Sequence, residues 1–278
     1  WKKEDLSEEV STALLTGMGL VSGLGLAVAA KFFAVEIDPR QEQIADSLPG
    51  ANCGGCGLAG CSDFASAVAA GKISPADCPV ADDETAQLIA EIMGITVEAK
   101  DPQVAIVLCQ GNIDIAAKKY RYNGLASCAS ASLLGGGDKG CGQGCLGLAD
   151  CQRVCGFGAV EMTAEGIARI IPERCTACGQ CITACPKEII KLIPANSEIH
   201  VLCSSHEKGA AAKKNCGTFC LGCKKCEKFY GEIPQIKIDS FLALVDYNNP
   251  PTNPEVAEVC PADAIVYLPK DKQSRRDI

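Results

Sequence analysis

Large apolar side chains are scarce in this sequence. Aromatic residues make up only 5% of its 278 residues, with a single tryptophan, and there are three methionines. Such side chains supply much of the buried area in ordinary cores, so a large packed core is excluded as the main source of order. The length is sufficient for two or three small domains. Something other than side-chain packing must organise much of them.

A strongly basic surface is missing as well. The chain has 26 basic and 34 acidic residues, a net charge of −8, which argues against nucleic acid as the main partner. No Ser/His/Asp combination or pair of acids indicates a catalytic centre. The glycine-rich residues 135–140 match neither G-x-G-x-x-G nor a Walker pattern. We therefore expect no catalytic residue and no direct binding of NAD in this chain.

Charge is absent altogether from residues 10–30. A helix over this stretch would be about 31 Å long, at about 1.5 Å per residue, which is enough to cross the hydrocarbon core of a bilayer. We therefore predict a single transmembrane helix. A secretory signal peptide and a buried soluble helix are the alternatives. The acidic residues before the stretch are not typical of a signal peptide, which begins with a positively charged region.

Cysteine, in contrast, is abundant, with twenty residues in the chain. A secreted disulfide scaffold and a reduced metal-cluster protein both use many cysteines. Disulfide frameworks spread their cysteines over loops, whereas most of these fall in tight groups with two or three residues between them. The grouping therefore predicts metal clusters.

The first group follows a C-x2-C-x4-C-x16-C spacing that begins in a glycine-rich loop. Four thiolates suit either zinc or an iron–sulfur cluster. Zinc sites favour two separated C-x2-C pairs, whereas three ligands in one loop with a remote fourth fit a [4Fe–4S] cubane better. The predicted ligands are Cys53, Cys56, Cys61 and Cys78.

Two further groups, at 141–155 and 175–185, resemble a two-cluster ferredoxin. The second has the spacing C-x2-C-x2-C-x3-C-P, and in such ferredoxins the fourth cysteine of each run binds the other cluster. The first run is stretched, with three and five residues between its early cysteines. Residues 159–171, between the runs, indicate two short strands around a turn. One cluster is predicted at Cys155, Cys175, Cys178 and Cys181, and its neighbour at Cys141, Cys145, Cys151 and Cys185.

The next group repeats the C-x2-C-x2-C spacing but lacks its fourth ligand, because Tyr230 stands where that ligand would fall. A remote cysteine followed by proline, in a phrase like that around Cys185, supplies a replacement. A single cluster is predicted at Cys220, Cys223, Cys226 and Cys260.

The last four cysteines belong to an internal repeat. Residues 107–119 echo residues 201–214, each a short apolar strand that ends in cysteine before a lysine-bearing stretch expected to be helical. Each copy is followed by a second cysteine and then by a ferredoxin-type group. Together the copies predict a possible fifth cubane, with buried thiol pairs or free core cysteines as the alternative. Its ligands would be Cys109, Cys128, Cys203 and Cys216.

Taken in order, these features resemble the B subunit of the Rnf complex, the membrane-bound ferredoxin:NAD oxidoreductase. The resemblance covers nearly the whole chain: the membrane helix, LPGANCGGCGLAGC, CASASLLGGG, GCLGLADC, CTACGQCITACP and VLCSS. It implies that electrons from reduced ferredoxin pass through [4Fe–4S] clusters of this chain to membrane subunits, including one with a membrane-embedded iron–sulfur centre. NAD reduction would then drive Na+ or H+ across the membrane. The alternatives are the iron–sulfur subunit of another membrane oxidoreductase and a non-redox zinc-binding scaffold.

Positive charge is concentrated near the C-terminal cysteine group, although the chain as a whole is acidic. Residues 207–228 hold six lysines and two acids. Opposite charge raises encounter rates, and we expect an acidic ferredoxin to dock here, although a solvated helix face is the alternative. The docking residues would be Lys213, Lys214, Lys224, Lys225 and Lys228.

The predicted fold class is α+β, with a single transmembrane helix, a small helical iron–sulfur domain and ferredoxin-like modules in a repeated arrangement. The predicted divisions are an anchor at 1–34, a linker and first cluster domain at 35–98, a strand–helix repeat with the two-cluster module at 99–198, and a second, single-cluster repeat at 199–270. Oxidising compartments attack exposed clusters. We therefore expect the clusters on the cytoplasmic side of the inner membrane.

Overall fold

The computed structural model describes residues 2–33, 38–232 and 234–269, with side chains from residue 12 onward. The predicted domain boundaries at residues 34 and 35 and at residue 270 lie outside these ranges. Helix α1 covers Lys2–Phe32. Its apolar part, Thr12–Phe32, has a mean hydropathy of 1.9 over its most apolar window, none of which is buried. This helix is long and apolar enough to cross a membrane.

Three helices then form a small domain: α2 at Pro39–Ser47, α3 at Cys61–Ala69 and α4 at Asp83–Met93. Helices α2 and α4 begin at aspartate N-caps, which satisfy free backbone N–H groups in the first turn. Their apolar faces meet around Ile44, Phe64 and Ile89, each at most 1% exposed. This compact core fixes α3, and therefore the cysteine at its first position.

The next part combines four strands with short helices. The outer strands β1, Gln103–Val107, and β4, Ile190–Pro194, pair antiparallel, and β2, Val160–Met162, forms a hairpin with β3, Ala168–Ile170. The hairpin confirms the two short strands predicted over residues 159–171. The helices of this part are α5 at Cys128–Ser132, α6 at Asp150–Arg153 and α7 at Gln180–Ala184.

The C-terminal part has the same order of pairing. Its outer strands β5, Ile199–Val201, and β8, Ile265–Tyr267, pair antiparallel around a hairpin of β6, Ile236–Asp239, and β7, Leu242–Val245. The helices are α8 at Gly209–Asn215, α9 at Lys225–Phe229 and α10 at Glu255–Glu258. Each part therefore encloses its ferredoxin-type cysteine loops between an outer strand pair and a hairpin.

The helix expected in the first copy of the internal repeat is wrong. Residues 113–115 form a turn, at which Oδ1 of Asn112 accepts hydrogen bonds from the backbone N–H groups of Asp114 and Ile115 at 3.0 and 3.1 Å. Directly after the turn, Ala116 pairs with Cys216 in an isolated antiparallel β-bridge. Pairing with a distant segment thus prevents the helix, whereas the second copy does form one as α8.

Candidate iron–sulfur sites

All twenty cysteines are free thiols, and most of them gather in groups around cavities. In each cavity the thiols surround a space rather than converge on one point. Within the described ranges, no group of three or more His, Cys, Asp or Glu side chains could hold a single metal ion. An arrangement of thiols around a space suits a polynuclear cluster, which fills the volume between its ligands.

The first cavity lies in the helical domain, at the start of α3. The Asn52 side chain shapes it, because its Oδ1 accepts a hydrogen bond from the Cys61 N–H at 2.8 Å. A capped 3-10 turn at Pro75–Asp77 brings the remote cysteine to the same cavity. The backbone N–H of Gly55 donates to Cys53 Sγ at 3.5 Å. The cavity is lined by all four predicted ligands, Cys53, Cys56, Cys61 and Cys78.

The second ferredoxin-type run forms the next group. Burial contributes most to raising the pKa of Cys181, and the neighbouring thiols of Cys175, Cys178 and Cys155 add to it, for a value of about 12. Backbone N–H groups donate to two of these sulfurs, Ala105 to Cys175 at 3.4 Å and Ala159 to Cys155 at 3.3 Å. The structure thus brings together the thiols of the set predicted at Cys155, Cys175, Cys178 and Cys181.

The neighbouring group has a thiol near it that lies outside its predicted set. Burial contributes most to raising the pKa of Cys151, and the thiols of Cys145, Cys128, Cys185 and Cys181 add to it, for a value of about 12. Cys128, which was expected in the fifth set, therefore lies near this group. The physical reason is Asp150 at the start of α6, whose carboxylate accepts hydrogen bonds from the residues on either side of Cys128.

The C-terminal cavity contains the single-cluster group. Cys220 Sγ accepts backbone hydrogen bonds from Gly222 at 3.5 Å and Ala243 at 3.2 Å, and Cys260 Sγ accepts one from Ala264 at 3.3 Å. Cys260 therefore joins residues that precede it by more than thirty positions. The lining includes all four predicted ligands, Cys220, Cys223, Cys226 and Cys260.

A further cavity lies between the two ferredoxin-like parts, and it too is lined by four cysteines. Three of them, Cys109, Cys203 and Cys216, belong to the predicted fifth set. The remaining one is Cys141, which was expected with the ferredoxin pair, and Cys128 does not line this cavity. Its other polar lining residues include Lys139 and Glu207.

The helical domain contacts the second ferredoxin-type run directly. Gln180 Nε2 donates to the Cys53 carbonyl oxygen at 2.5 Å. Burial raises the pKa of Cys53, and the nearby thiols of Cys178 and Cys78 raise it too. The first cavity and the ferredoxin-type group are therefore adjacent. Gln180 and Asn52 were not found from the sequence, since an amide side chain between cysteines has no distinctive pattern.

The predicted docking lysines lie at the surface. Lys213 and Lys214 are in the last turn of α8, and Lys224, Lys225 and Lys228 are at α9, all of them exposed. Lys224 makes only a long ion pair with Glu227, at 4.0 Å. Cys223, adjacent to Lys224, is itself exposed. The C-terminal cavity therefore has an edge where cations and a cysteine face solvent.

The contact between Gly55 and Cys178 provides a test of this adjacency. A Cβ on residue 55 would lie 2.7 Å from the Cys178 carbonyl oxygen and 2.8 Å from Pro79 Cγ, so Gly55→Ala should push the first cavity away from the ferredoxin-type group. We expect iron content to be retained and electron transfer from the ferredoxin-type clusters to the first cluster to slow several-fold, measured by stopped-flow absorbance and freeze-quench EPR. Gly156→Ala is the matched control, because its Cβ would meet no atom within 4 Å. Equal rates in the two variants would contradict the adjacency.

Two protein families match the chain at these sites. One, described as "Putative Fe-S cluster", covers residues 48–80 and so includes the whole first cavity. The other, the 4Fe-4S binding domain, covers residues 168–191, which contain the second ferredoxin-type run. Iron–sulfur binding is therefore supported independently at two of the cysteine groups.

Similar proteins extend the match over most of the chain. The B subunit of the Na+-translocating ferredoxin:NAD+ oxidoreductase complex of Acetobacterium woodii is 39% identical over 92% of this chain and 77% of its own length. The B subunit of the ion-translocating oxidoreductase complex of Methanosarcina acetivorans is 38% identical over 92% and 96%. The proton-translocating counterpart from Clostridium ljungdahlii is 38% identical over 84% and 82%. With this identity over most of both lengths, the chain belongs to the family of B subunits of the ion-translocating ferredoxin:NAD+ oxidoreductase (Rnf) complexes.

Proposed function

We propose that this chain is the electron-transfer subunit of an Rnf complex, which accepts electrons from reduced ferredoxin and passes them to membrane subunits. NAD reduction in the complex is coupled to translocation of Na+ or H+. The observation that carries the proposal is the gathering of cysteine thiols around successive cavities, from the helical domain to the C-terminal part. The chain is thus part of a translocating oxidoreductase, with no complete active site of its own.

The thiol groups fit [4Fe–4S] clusters, each of which takes four cysteine ligands and transfers one electron at a time. Three of the proposed clusters are supported by the gathering of their predicted thiols at the first cavity, around Cys181 and at the C-terminal cavity. The backbone N–H groups that point at Cys53, Cys155, Cys175, Cys220 and Cys260 stabilise negative charge on sulfur. Such hydrogen bonds are among the factors that tune a cluster's potential.

The contacts are consistent with a path in this proposal that ends at the helical domain. The helical domain follows α1 in the chain, and its cavity adjoins the ferredoxin-type group through Gly55 and Gln180. Electrons therefore leave the chain at the Cys53 cluster, toward an iron–sulfur centre in a membrane subunit. An ion-translocating complex has to sit at a membrane, and α1 is long and apolar enough to anchor this subunit in it.

We also propose that the chain is divided into domains as predicted from the sequence. The shared order of strand pairing in residues 99–198 and 199–270 supports two copies of one module, the second with a single cluster. The cluster-bearing region faces the cytoplasm in this account, where ferredoxin and a reducing environment are found. A zinc scaffold is disfavoured by the match to a 4Fe-4S family. The iron–sulfur subunit of a different oxidoreductase is disfavoured by the extent of similarity to the B subunits.

Removal of one ligand at the membrane end tests the path. Cys53→Ala should lose the first cluster, about four irons per chain, and should abolish reduction of the membrane partners by ferredoxin. The remaining clusters should still become reduced, as followed by EPR in the assembled complex. Ser62→Ala, an exposed change in the same domain, is the control. Loss of the cluster with an unchanged rate of partner reduction would place the electron exit elsewhere.

The docking surface for ferredoxin is tested by charge reversal. The triple variant Lys224→Glu, Lys225→Glu and Lys228→Glu should slow reduction by ferredoxin about tenfold or more at low salt, because electrostatic steering can change association rates by about 10- to 1000-fold. The salt dependence should flatten, since screening then has no attraction to weaken. Stopped-flow measurements over a range of ionic strength give both quantities.

The control for this surface is a second triple reversal with the same change of charge, at exposed lysines far from α9 in sequence: Lys72, Lys100 and Lys191. Reduction by dithionite and iron content should be normal in both triple variants. If the two triple variants slow ferredoxin to the same extent, net charge rather than a docking surface is responsible.

A further inference from the structure

The loop that contains Cys145 and Cys151 has the geometry of the complete ferredoxin loop at Cys175–Cys185. In both loops, cysteines lie six and ten positions after the first. In both, the residues two and four positions after the first cysteine have left-handed backbones, and a short helix begins immediately afterwards. These residues are Gly147 and Ala149 with φ of 72° and 64°, and Ala177 and Gly179 with φ of 55° and 76°.

When the two loops are aligned on Cys145 and Cys175, Leu148 occupies the position of the ligand Cys178. The loop therefore lacks one thiol of its own, and Cys141 lies outside it. Asp150 brings a replacement from another segment: its carboxylate accepts hydrogen bonds from Ser127 Oγ at 3.0 Å and the Ala129 N–H at 2.8 Å. Cys128 lies between these two residues in the sequence. The two hydrogen bonds therefore hold it beside Asp150, the first residue of α6, two positions after Leu148.

Cys141, in contrast, lines the cavity between the two ferredoxin-like parts. The adjacent Gly140 N–H donates to the Ala117 carbonyl at 2.6 Å, and the Ala117 N–H donates to the Asn215 carbonyl at 3.0 Å. These bonds align three distant segments, so that thiols at residues 109, 141 and 216 face one space. Lys187 lies beside this segment, because its Nζ donates to the carbonyl oxygens of Gly136 at 2.5 Å and Gly142 at 2.7 Å.

Two of the sulfurs in this cavity accept backbone N–H hydrogen bonds of the same kind as the ligands described above. Cys109 Sγ accepts from the N–H groups of Gly111 at 3.3 Å and Cys145 at 3.4 Å. Cys203 Sγ accepts from Ser205 at 3.5 Å and Cys220 at 3.4 Å. In both cases the donors are the residue two positions later and the first cysteine of the next ferredoxin-type loop. The two copies of the internal repeat therefore contribute Cys109 and Cys203 to the cavity in the same way.

The charges around the cavity are compatible with an anionic cluster. Lys139 is only 3% exposed, and its Nζ donates to the Gly111 carbonyl at 2.5 Å, which leaves a cation beside the thiols. Glu207 also lines the cavity, but its carboxylate accepts a hydrogen bond from Asn215 Nδ2 at 2.8 Å. The buried lysine thus offsets thiolate charge.

We infer that Cys109, Cys141, Cys203 and Cys216 bind a fifth [4Fe–4S] cluster, and that Cys128 completes the neighbouring site with Cys145, Cys151 and Cys185. This rests on the proposed function, since it assumes that the chain binds cubanes. The fifth site is hydrogen-bonded through Cys109 to Cys145 and through Cys203 to Cys220. It therefore links the C-terminal cluster to the ferredoxin pair and makes the electron path continuous.

Pairs of substitutions separate this assignment from the one that spacing suggests. Cys109→Ala with Cys141→Ala removes two ligands of one site and should cost about four irons per chain, whereas Cys109→Ala with Cys128→Ala affects two sites and should cost about eight. The opposite pattern would overturn the exchange of Cys128 and Cys141. An unchanged iron content in Cys109→Ala with Cys203→Ala would overturn the fifth site while leaving the proposed function intact. An unsubstituted chain without iron would refute the proposed function itself.

Single serine variants keep the test decisive if a double variant does not fold. Cys128→Ser should alter the EPR signal of the magnetically coupled ferredoxin pair, and Cys141→Ser should leave that signal as it is. If Cys141→Ser changed the coupled EPR signal and Cys128→Ser did not, Cys141 would be a ligand of the ferredoxin pair and the assignment would be refuted.

Discussion

The structure depends on bringing cysteine thiols together in groups and on balancing the charge that they carry as ligands. Burial raises the pKa of Cys109, Cys151 and Cys181 to about 12, so these thiols keep their protons at neutral pH unless iron replaces them. Ligation removes those protons, and the free energy of binding a cluster then becomes part of the free energy of folding. The clusters in this account therefore stabilise the chain that binds them.

The small size of the secondary-structure elements fits this dependence. Helices α6 and α10 have four residues each, and strands β2, β3, β5 and β8 have three. Helices and two-stranded ribbons of this length are marginal alone in water. Aromatic side chains are scarce, and the packing that supports these elements comes mainly from small aliphatic side chains in two cores, one around Ile170 and Ile193 and one around Ile199 and Ile265. The helical domain has its own small apolar core around Phe64. In this account the four-thiol sites add the links between these cores.

Spacing predicted the thiol groups whose members lie in one loop, because such ligands are positioned by local backbone. The proline that follows Cys260, as one follows Cys185, also led to the prediction that Cys260 binds with the distant loop at 220–226. Spacing is less informative where position depends on contacts remote in sequence: the hydrogen bonds of Asp150 hold the residues on either side of Cys128, and a bridge pairs Ala116 with Cys216. The inferred exchange of Cys128 and Cys141 depends on these contacts. The helix expected after Cys109 was lost to the same bridge.

The central claim is that the grouped thiols hold iron–sulfur clusters that conduct electrons through the whole chain. Anaerobic measurement of iron and acid-labile sulfide in the intact protein tests it most directly. The account predicts equal amounts of both, about twenty of each per chain by the stoichiometry of five cubanes, all reducible by ferredoxin. Bound zinc without sulfide, or iron that ferredoxin does not reduce, would contradict it.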